Sequence, residues 1–310
     1  LGIVSHFVLT ENPFGLDDSQ VKKQIESWFF PLKGQVSVKT ESLALATVLI
    51  ATDWKSAYLV KRYGTEKKVM YFVQDFEPWF FPRGTEYALA LDTYSWGFPA
   101  MTAGSWLAAT IQEIAPGKVD YFNFAADPLP ASLPKTGIRD RQRVFFYARP
   151  ETERRGFELG MLSLALLFKN DSNVEIHLAG SELVGVSVGF PHVLHGVVDE
   201  LRLKEIMSEC DLALVISFTN VSLMPVELMS LGVPVVSNRG EWLEWQLNSE
   251  NASLALANPV SISQTISNLL KNKEQREKLR VGGFAYASKF SWEAEAEKLA
   301  SFIRALPVFG

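Results

Sequence analysis

Short apolar runs alternate with longer segments of helical spacing from residue 47 to the end, and nothing else in the chain limits its fold as strongly. In the amino half, residues 47–51, 68–73 and 99–102 read as strands, with helices over 54–62, 86–96 and 105–114. In the carboxyl half, strands over 143–147, 174–178, 193–195, 212–216 and 233–236 alternate with helices over 156–168, 200–209 and 225–231. Two helices rich in Glu, Lys and Leu close the chain near Leu306. Strands that are apolar along nearly their whole length have both faces covered, which a parallel sheet between helices provides. A length of 310 residues suits two such domains.

The pattern breaks between Phe124 and Gln142. Pro128, Pro130 and Pro134 fall close together and are followed by Lys135, Arg139, Asp140 and Arg141. Proline fixes φ and removes an amide donor, so this stretch reads as the interdomain linker. The expectation is an α/β chain of two Rossmann-like domains facing across a cleft: 1–130, then 131–290, with a final helix over 291–310. Ligands of open parallel sheets bind outside the carboxyl ends of the strands, so the useful residues belong just after strands.

Composition excludes several functions. A net charge of −5 argues against a nucleic-acid partner. One cysteine, Cys210, leaves no disulfide framework or cysteine-rich metal site. The four histidines show no carboxylate or histidine partner at ligand spacing, and His192 and His195 read as a strand-edge or loop pair. No apolar run reaches the roughly 18–20 residues that span a bilayer, and the first residues lack the basic and apolar regions of a signal peptide. The chain starts at Leu1 rather than methionine, which leaves room for upstream residues. Trp79, Phe80, Phe81, Tyr87, Tyr94 and Trp96 form an aromatic stretch that suits an acceptor or membrane face as well as a core.

Two stretches carry chemistry. After the strand ending at Tyr147 come Arg149, Arg155 and Gly156, the last two where the next helix begins. A helix start and two cations suit phosphate and would neutralise a leaving diphosphate; the plain alternative is a solvated loop of charges. The second stretch runs from Ser217 through Thr219, Asn220, Ser222 and Leu223 to Pro225 and Glu227. It is a strand, a small polar loop and proline in the first helical turn, an anion-binding arrangement. Glu227 lies among apolar residues and needs a partner; a ribose diol would supply two donors, and a backbone amide or an arginine would also serve. In the amino half, Gln74, Asp75 and Glu77 follow a buried strand. A carboxylate there would take an acceptor's proton, or else cap the next turn.

The ordered set Arg149, Arg155-Gly156, Asp211-Leu-Ala-Leu-Val-Ile and Pro225-Val-Glu227 through Gly232-Val-Pro234-Val-Val resembles the nucleotide-binding domain of the group 1, two-domain (GT-B type) glycosyltransferases. Tyr71-Phe-Val-Gln74-Asp75-Phe-Glu77-Pro78-Trp79 is similar to bacterial rhamnosyltransferases and rhamnan-synthesis proteins, and Ser291-Trp292-Glu293 fits the start of a last helix that returns to the first domain. The resemblance implies a cytoplasmic enzyme that moves a sugar from a UDP, dTDP or GDP donor to a glycan or lipid-linked glycan, with peripheral contact at the inner membrane face. It implies Arg149 and Arg155 on the diphosphate, amides of Ser222 and Leu223 on phosphate, Glu227 on ribose, and His195 and Gly196 beside the nucleobase. No Asp-x-Asp motif is present, so neither metal nor cofactor is expected. Two departures stand out. Thr219 occupies the place of the family's first glutamate, which contacts the donor sugar, and no glycine-rich loop follows the first strand, since Gly2 and Gly15 do not form one. A degenerate nucleotide-sugar-binding module and a nucleotide-sugar epimerase of the same fold remain as alternatives.

Overall fold

The computed structural model describes residues 4–28, 31–127 and 140–309. Most of the proline-rich linker, with Pro128, Pro130, Pro134, Lys135 and Arg139, lies outside the described residues, as does Gly2. The chain divides into two compact units, Leu1–Phe122 with Glu295–Gly310, and Asn123–Ala294.

In chain order the first unit supplies β1 (His6–Val8), α1 (Asp18–Trp28), β2 (Gln35–Ser37), β3 (Val48–Ala51) and α2 (Trp54–Tyr63). There follow β4 (Lys67–Val73), α3 (Thr85–Tyr94), β5 (Ala100–Ala103), α4 (Ser105–Gln112) and β6 (Val119–Phe122). The strands β3, β4, β5 and β6 lie side by side in that order, all parallel. Leu49, Val69, Tyr71, Val73, Tyr94, Leu107 and Ile111 are buried where the helices cover this sheet. β1 and β2 pair with each other in a separate parallel ribbon.

The second unit begins its sheet with β7 (Gln142–Tyr147), α5 (Phe157–Asn170), β8 (Val174–Ala179), β9 (Val193–Leu194), α6 (Glu200–Ser208) and β10 (Leu212–Val215). It continues with α7 (Met224–Ser230), β11 (Val235–Asn238), α8 (Glu241–Glu244), β12 (Ala252–Ala255), α9 (Pro259–Lys271) and α10 (Lys273–Ala287). The six strands are parallel in the order β12-β11-β10-β7-β8-β9. Counted from β7, that is the 3-2-1-4-5-6 order of a Rossmann sheet, with its reversal between β7 and β10. The two-residue period of a strand sends Val144 and Phe146 to one face of the sheet and Phe145 to the other. Leu164, Leu167, Ile262 and Ile266 cover the first face, and Ile206, Met207, Val226 and Leu228 the second. Near-continuous apolar strands thus end with both faces buried.

α11 (Trp292–Arg304) and β13 (Val308–Phe309) close the chain. Within the first unit, β13 pairs antiparallel with the start of β4, Lys298 Nζ donates to the Tyr121 carbonyl at 3.2 Å, and Phe302 is buried.

The structure adjusts three expectations. Three helices, not two, follow β12; α9 opens at Asn258, whose side chain accepts the Ser261 amide at 2.9 Å. The strand placed at 233–236 starts at Val235, because the Val233 amide turns back to the Leu228 carbonyl at 2.9 Å and finishes α7. Finally, β1, β2, β6, β12 and β13 are strands of two to four residues, too short for the apolar pattern to reveal.

Candidate functional site

The carboxyl ends of β7 and β10, where strand order reverses in the second unit, carry most of the candidate residues. Past β7, Arg149 is exposed, with Nε 3.5 Å from Glu151 Oε1. A single turn, Glu153–Arg155, leads to Gly156. There φ is +60°, and a Cβ would stand 2.4 Å from Ile216 Cγ2. Both the left-handed backbone and the close approach demand glycine. The turn aims Arg155 at the neighbouring strand's loop: its Nη1 donates to Ser217 Oγ at 2.7 Å and to the Asn220 carbonyl at 3.0 Å. The Phe218 amide donates back to the Arg154 carbonyl at 2.9 Å. The two loops are therefore tied together at the position where an open α/β sheet binds its ligand.

The loop after β10 is held by side-chain hydrogen bonds. Asn238 exchanges two hydrogen bonds with the Ser217 backbone, at 3.0 and 2.8 Å, and Trp242 Nε1 donates to the Ser217 carbonyl at 2.9 Å. Asn220 Oδ1 accepts from Trp245 Nε1 and from the Val221 amide, so this side chain holds the loop from within. Thr219 is also buried. Ser222 and Leu223 lead into α7, where the Leu223 carbonyl accepts the Val226 and Glu227 amides.

Glu227 sits half-buried in the first turn of α7. Burial pushes its carboxyl above the usual range; Lys204 opposes the shift, and Glu200 and Asp127 reinforce it. Lys204 is itself buried on α6, with Nζ bonded to Glu200 and 3.7 Å from Asp127 Oδ2. Sequence spacing foresees Glu227 but not Lys204, because α6 presents that lysine inward from a helix otherwise marked as charged surface.

His195 follows β9, with its amide on the Leu178 carbonyl at 2.8 Å. Its Nε2 lies 2.9 Å from His177 Nδ1, and His177 Nε2 lies 2.7 Å from Glu175 Oε1. Arg143 Nε meets the same Glu175 oxygen at 2.7 Å, and its Nη1 meets Glu209 Oε2 at 2.6 Å. These contacts join histidines that the sequence, read for metal-ligand spacing, left without partners. Glu175 and His177 share one face of β8 by the strand's two-residue period, and β9 pairs beside them with Val193 opposite His177. His192 turns instead to the Phe190 carbonyl at 2.9 Å. Gly196, at φ +68°, accepts the Gly180 amide at 2.8 Å.

In the first unit, Gln74, Asp75 and Glu77 follow β4. Gln74 is exposed, while Asp75 and Glu77 are buried. Asp75 Oδ1 accepts the Phe76 amide at 2.8 Å. Glu77 Oε2 accepts the Trp54 amide at 2.6 Å and lies 3.4 Å from the Tyr71 hydroxyl. The carboxyl of Glu77 thus serves the first turn of α2, beside the N-cap of Asp53. Of the aromatic stretch, Tyr94 is core and Trp79 is 37% exposed, its ring 5.6 Å from that of Trp106. Among the described residues, no three His, Cys, Asp or Glu side chains are placed to hold a metal ion, and no helix is long and apolar enough to cross a membrane.

Comparison with known proteins gives a consistent family. The profile "WsaF, N-terminal domain" matches residues 16–103, and "WsaF, C-terminal domain" matches residues 142–267. The O-antigen biosynthesis protein RfbC of Myxococcus xanthus is 32% identical over 311 residues, which cover 96% of this chain and 24% of that protein. The chain therefore spans about a quarter of the length of this relative. Among solved structures, Anabaena Alr3699/HepE in complex with UDP-glucose superposes with a TM-score of 0.73 at 16% identity, covering 97% of this chain and 92% of that one. Sucrose-phosphate synthase from Thermosynechococcus elongatus gives 0.69 at 13% identity, over 83% of this chain and 73% of that one. Staphylococcus aureus TarM in complex with fondaparinux, α-GlcNAc-glycerol and UDP gives 0.67 at 13%, over 83% and 55%. The shared fold is the GT-B arrangement of two Rossmann-like domains.

Proposed function

The chain belongs to the WsaF family, both of whose domains it matches in order, and on that premise we propose that it is a glycosyltransferase moving a sugar from a nucleotide diphosphate donor to a glycan acceptor in surface-polysaccharide synthesis. The observation that carries this reading is Arg155, stretched over the reversal between β7 and β10 with Glu227 in the first turn of the next helix. Arg155, with the exposed Arg149, supplies positive charge where a diphosphate leaving group gains negative charge as the bond to the sugar breaks. Glu227 accepts from the ribose hydroxyls, whose donors compensate its buried carboxylate. The amides of Ser222 and Leu223 face phosphate, and His195 and Gly196 line the base. Asp75 takes the acceptor's proton. With cations in these places, no divalent metal enters the chemistry. The name of the Myxococcus relative, and the UDP-glucose in the Anabaena structure, support a donor of this class. The donor is a UDP, dTDP or GDP sugar, with rhamnose favoured by the family, and a lipid-linked acceptor would bring the enzyme to the inner membrane face.

The test is a transfer assay with UDP-glucose, dTDP-rhamnose and GDP-mannose and a rhamnose oligosaccharide acceptor. Release of one nucleoside diphosphate with extension of the acceptor supports the proposal. Arg155→Ala is expected to cut the rate at least a hundredfold, the cost of removing one preorganised donor to a developing anion, which is on the order of 3 kcal/mol. Release without any dependence on acceptor or on Arg155 would contradict it. A second reading has one observation in its favour: Thr219 is buried where the resemblance expects a sugar-contacting glutamate. On that reading the chain binds nucleotide sugar without transferring it.

A further inference from the structure

The chain Glu175–His177–His195 determines which ring nitrogen of His195 carries hydrogen. Glu175 is held ionised, below the usual carboxylate range, by its bond from His177 and by Arg143 beside it. A carboxylate only accepts, so His177 Nε2, 2.7 Å away, must be the donor. Burial holds the His177 imidazole below its usual range, which keeps it neutral, so its other nitrogen, Nδ1, has a lone pair and no hydrogen. That lone pair can be met at 2.9 Å only by a hydrogen on His195 Nε2. Burial lowers His195 as well, and in a neutral ring with hydrogen on Nε2 the remaining nitrogen, Nδ1, is an acceptor. The rest of the loop is fixed around it. The His195 amide is bound to Leu178, and the Gly196 carbonyl accepts the Gly180 amide. Gly196 leaves no space for a Cβ, which would stand 2.4 Å from Glu182 Oε1, and that same oxygen accepts the Val197 amide at 3.0 Å.

We propose that Glu175 and His177 are positioning residues that lock His195 as its Nε2–H tautomer, so that the loop offers an Nδ1 acceptor and selects a diketo pyrimidine, uracil or thymine, over cytosine. The N3 position of a diketo pyrimidine carries hydrogen and donates. The same position of cytosine is a lone pair, and two acceptors facing each other leave both buried and unpaired. A bond made to one base and refused by the other is worth about tenfold to a hundredfold in affinity. This inference rests on the reading that the loop of His195 and Gly196 lines the nucleobase.

The experiment has two arms. Nitrogen NMR of protein labelled with ¹⁵N-histidine reads the tautomers with no ligand present. The expected result is hydrogen on Nε2 of both His177 and His195 at pH 7.5. Glu175→Ala is expected to leave both rings as tautomer mixtures, and Glu175→Gln to restore the wild-type pattern, because its carbonyl oxygen still accepts. Calorimetry with UDP, dTDP and CDP is the second arm. The wild type and Glu175→Gln are expected to prefer UDP and dTDP over CDP by at least about tenfold, and Glu175→Ala to lose most of that preference while melting as a folded protein. Hydrogen on Nδ1 of His195 in the wild type would overturn the lock. Equal binding of UDP and CDP would overturn the selection. Failure of all three nucleotides to bind would overturn the reading of the loop as a base site, and the selection with it, while the NMR arm still decides the tautomer.

Discussion

Glu77 shows how burial changes a carboxyl group's part in the molecule. Desolvation pushes it up to about 7 from an ordinary value near 4.5, against the opposing bond from the Trp54 amide. Between those two values the folded chain holds a proton that the unfolded chain has lost, so the first unit loses stability as pH rises from about 4.5 to 7, by on the order of 3 kcal/mol. Glu77→Gln keeps an acceptor for the Trp54 amide and cannot ionise. Urea unfolding at pH 5 and pH 8 is expected to show a loss in the wild type and little change in the variant; parallel losses would contradict the assignment. Gly156→Ala is expected to destabilise the second unit by about 2 kcal/mol or more, from the left-handed backbone and the contact with Ile216, with the loss read in the same unfolding curves. At this scale the sequence shows what is local. Arg149, Arg155, Gly156 and Glu227 stand out because each follows a strand or opens a helix within a few residues of its partners. Glu175 and His177 lie two apart on one strand, but their link to His195, and the approach of Lys204 to Glu227, depend on neighbouring strands and helices and leave no mark in the linear pattern. The capping role weighed for the Gln74, Asp75 and Glu77 group does occur, but Glu77 serves a helix that starts at Trp54 rather than the turn that follows it.

Elements were legible in proportion to their burial. β4, β7 and β10 are largely buried on both faces and carry continuous apolar runs, whereas β8 alternates apolar residues with Glu175 and His177. β1 and β9 are largely exposed, and β13 has two residues, so the same signal is missing or weak there. α9 is announced by chemistry as well as by periodicity: Asn258 caps it, Pro259 occupies its first position, and Ile262, Ile266, Leu269 and Leu270 recur on one buried face. Asn258→Ala is expected to cost about 1 kcal/mol in the second unit, seen as a lower urea midpoint with an unchanged slope. α11 completes the first unit through Phe302, which is buried, and Lys298, which reaches Tyr121. Phe302→Ala is expected to cost that unit about 3 kcal/mol or more and to leave the second unit's transition in place. A loss in the second unit's transition alone would contradict the placement of α11 with the first.

The whole molecule follows from placing two α/β units in one chain, each built around a parallel sheet. The second has the Rossmann strand order, and that order alone predicts a ligand at the β7–β10 reversal, where Arg155 is found. The alternation of strands and helices implied the parallel sheets, but not this strand order. The first unit's described strands run in simple order from β3 to β6 and supply no such reversal in that sheet, so its candidates rest on position after β4 and on the family. On the proposed reading, the second unit holds a nucleotide diphosphate without a metal. Calorimetry of the purified chain with UDP, dTDP and GDP, with and without EDTA, repeated on Glu227→Ala, is the decisive experiment. One of these nucleotides is expected to bind, EDTA to change nothing, and the variant to bind at least about tenfold more weakly, as expected for the loss of charge-assisted hydrogen bonds to the ribose. Binding that disappears with EDTA, or that survives Glu227→Ala unchanged, would contradict that reading.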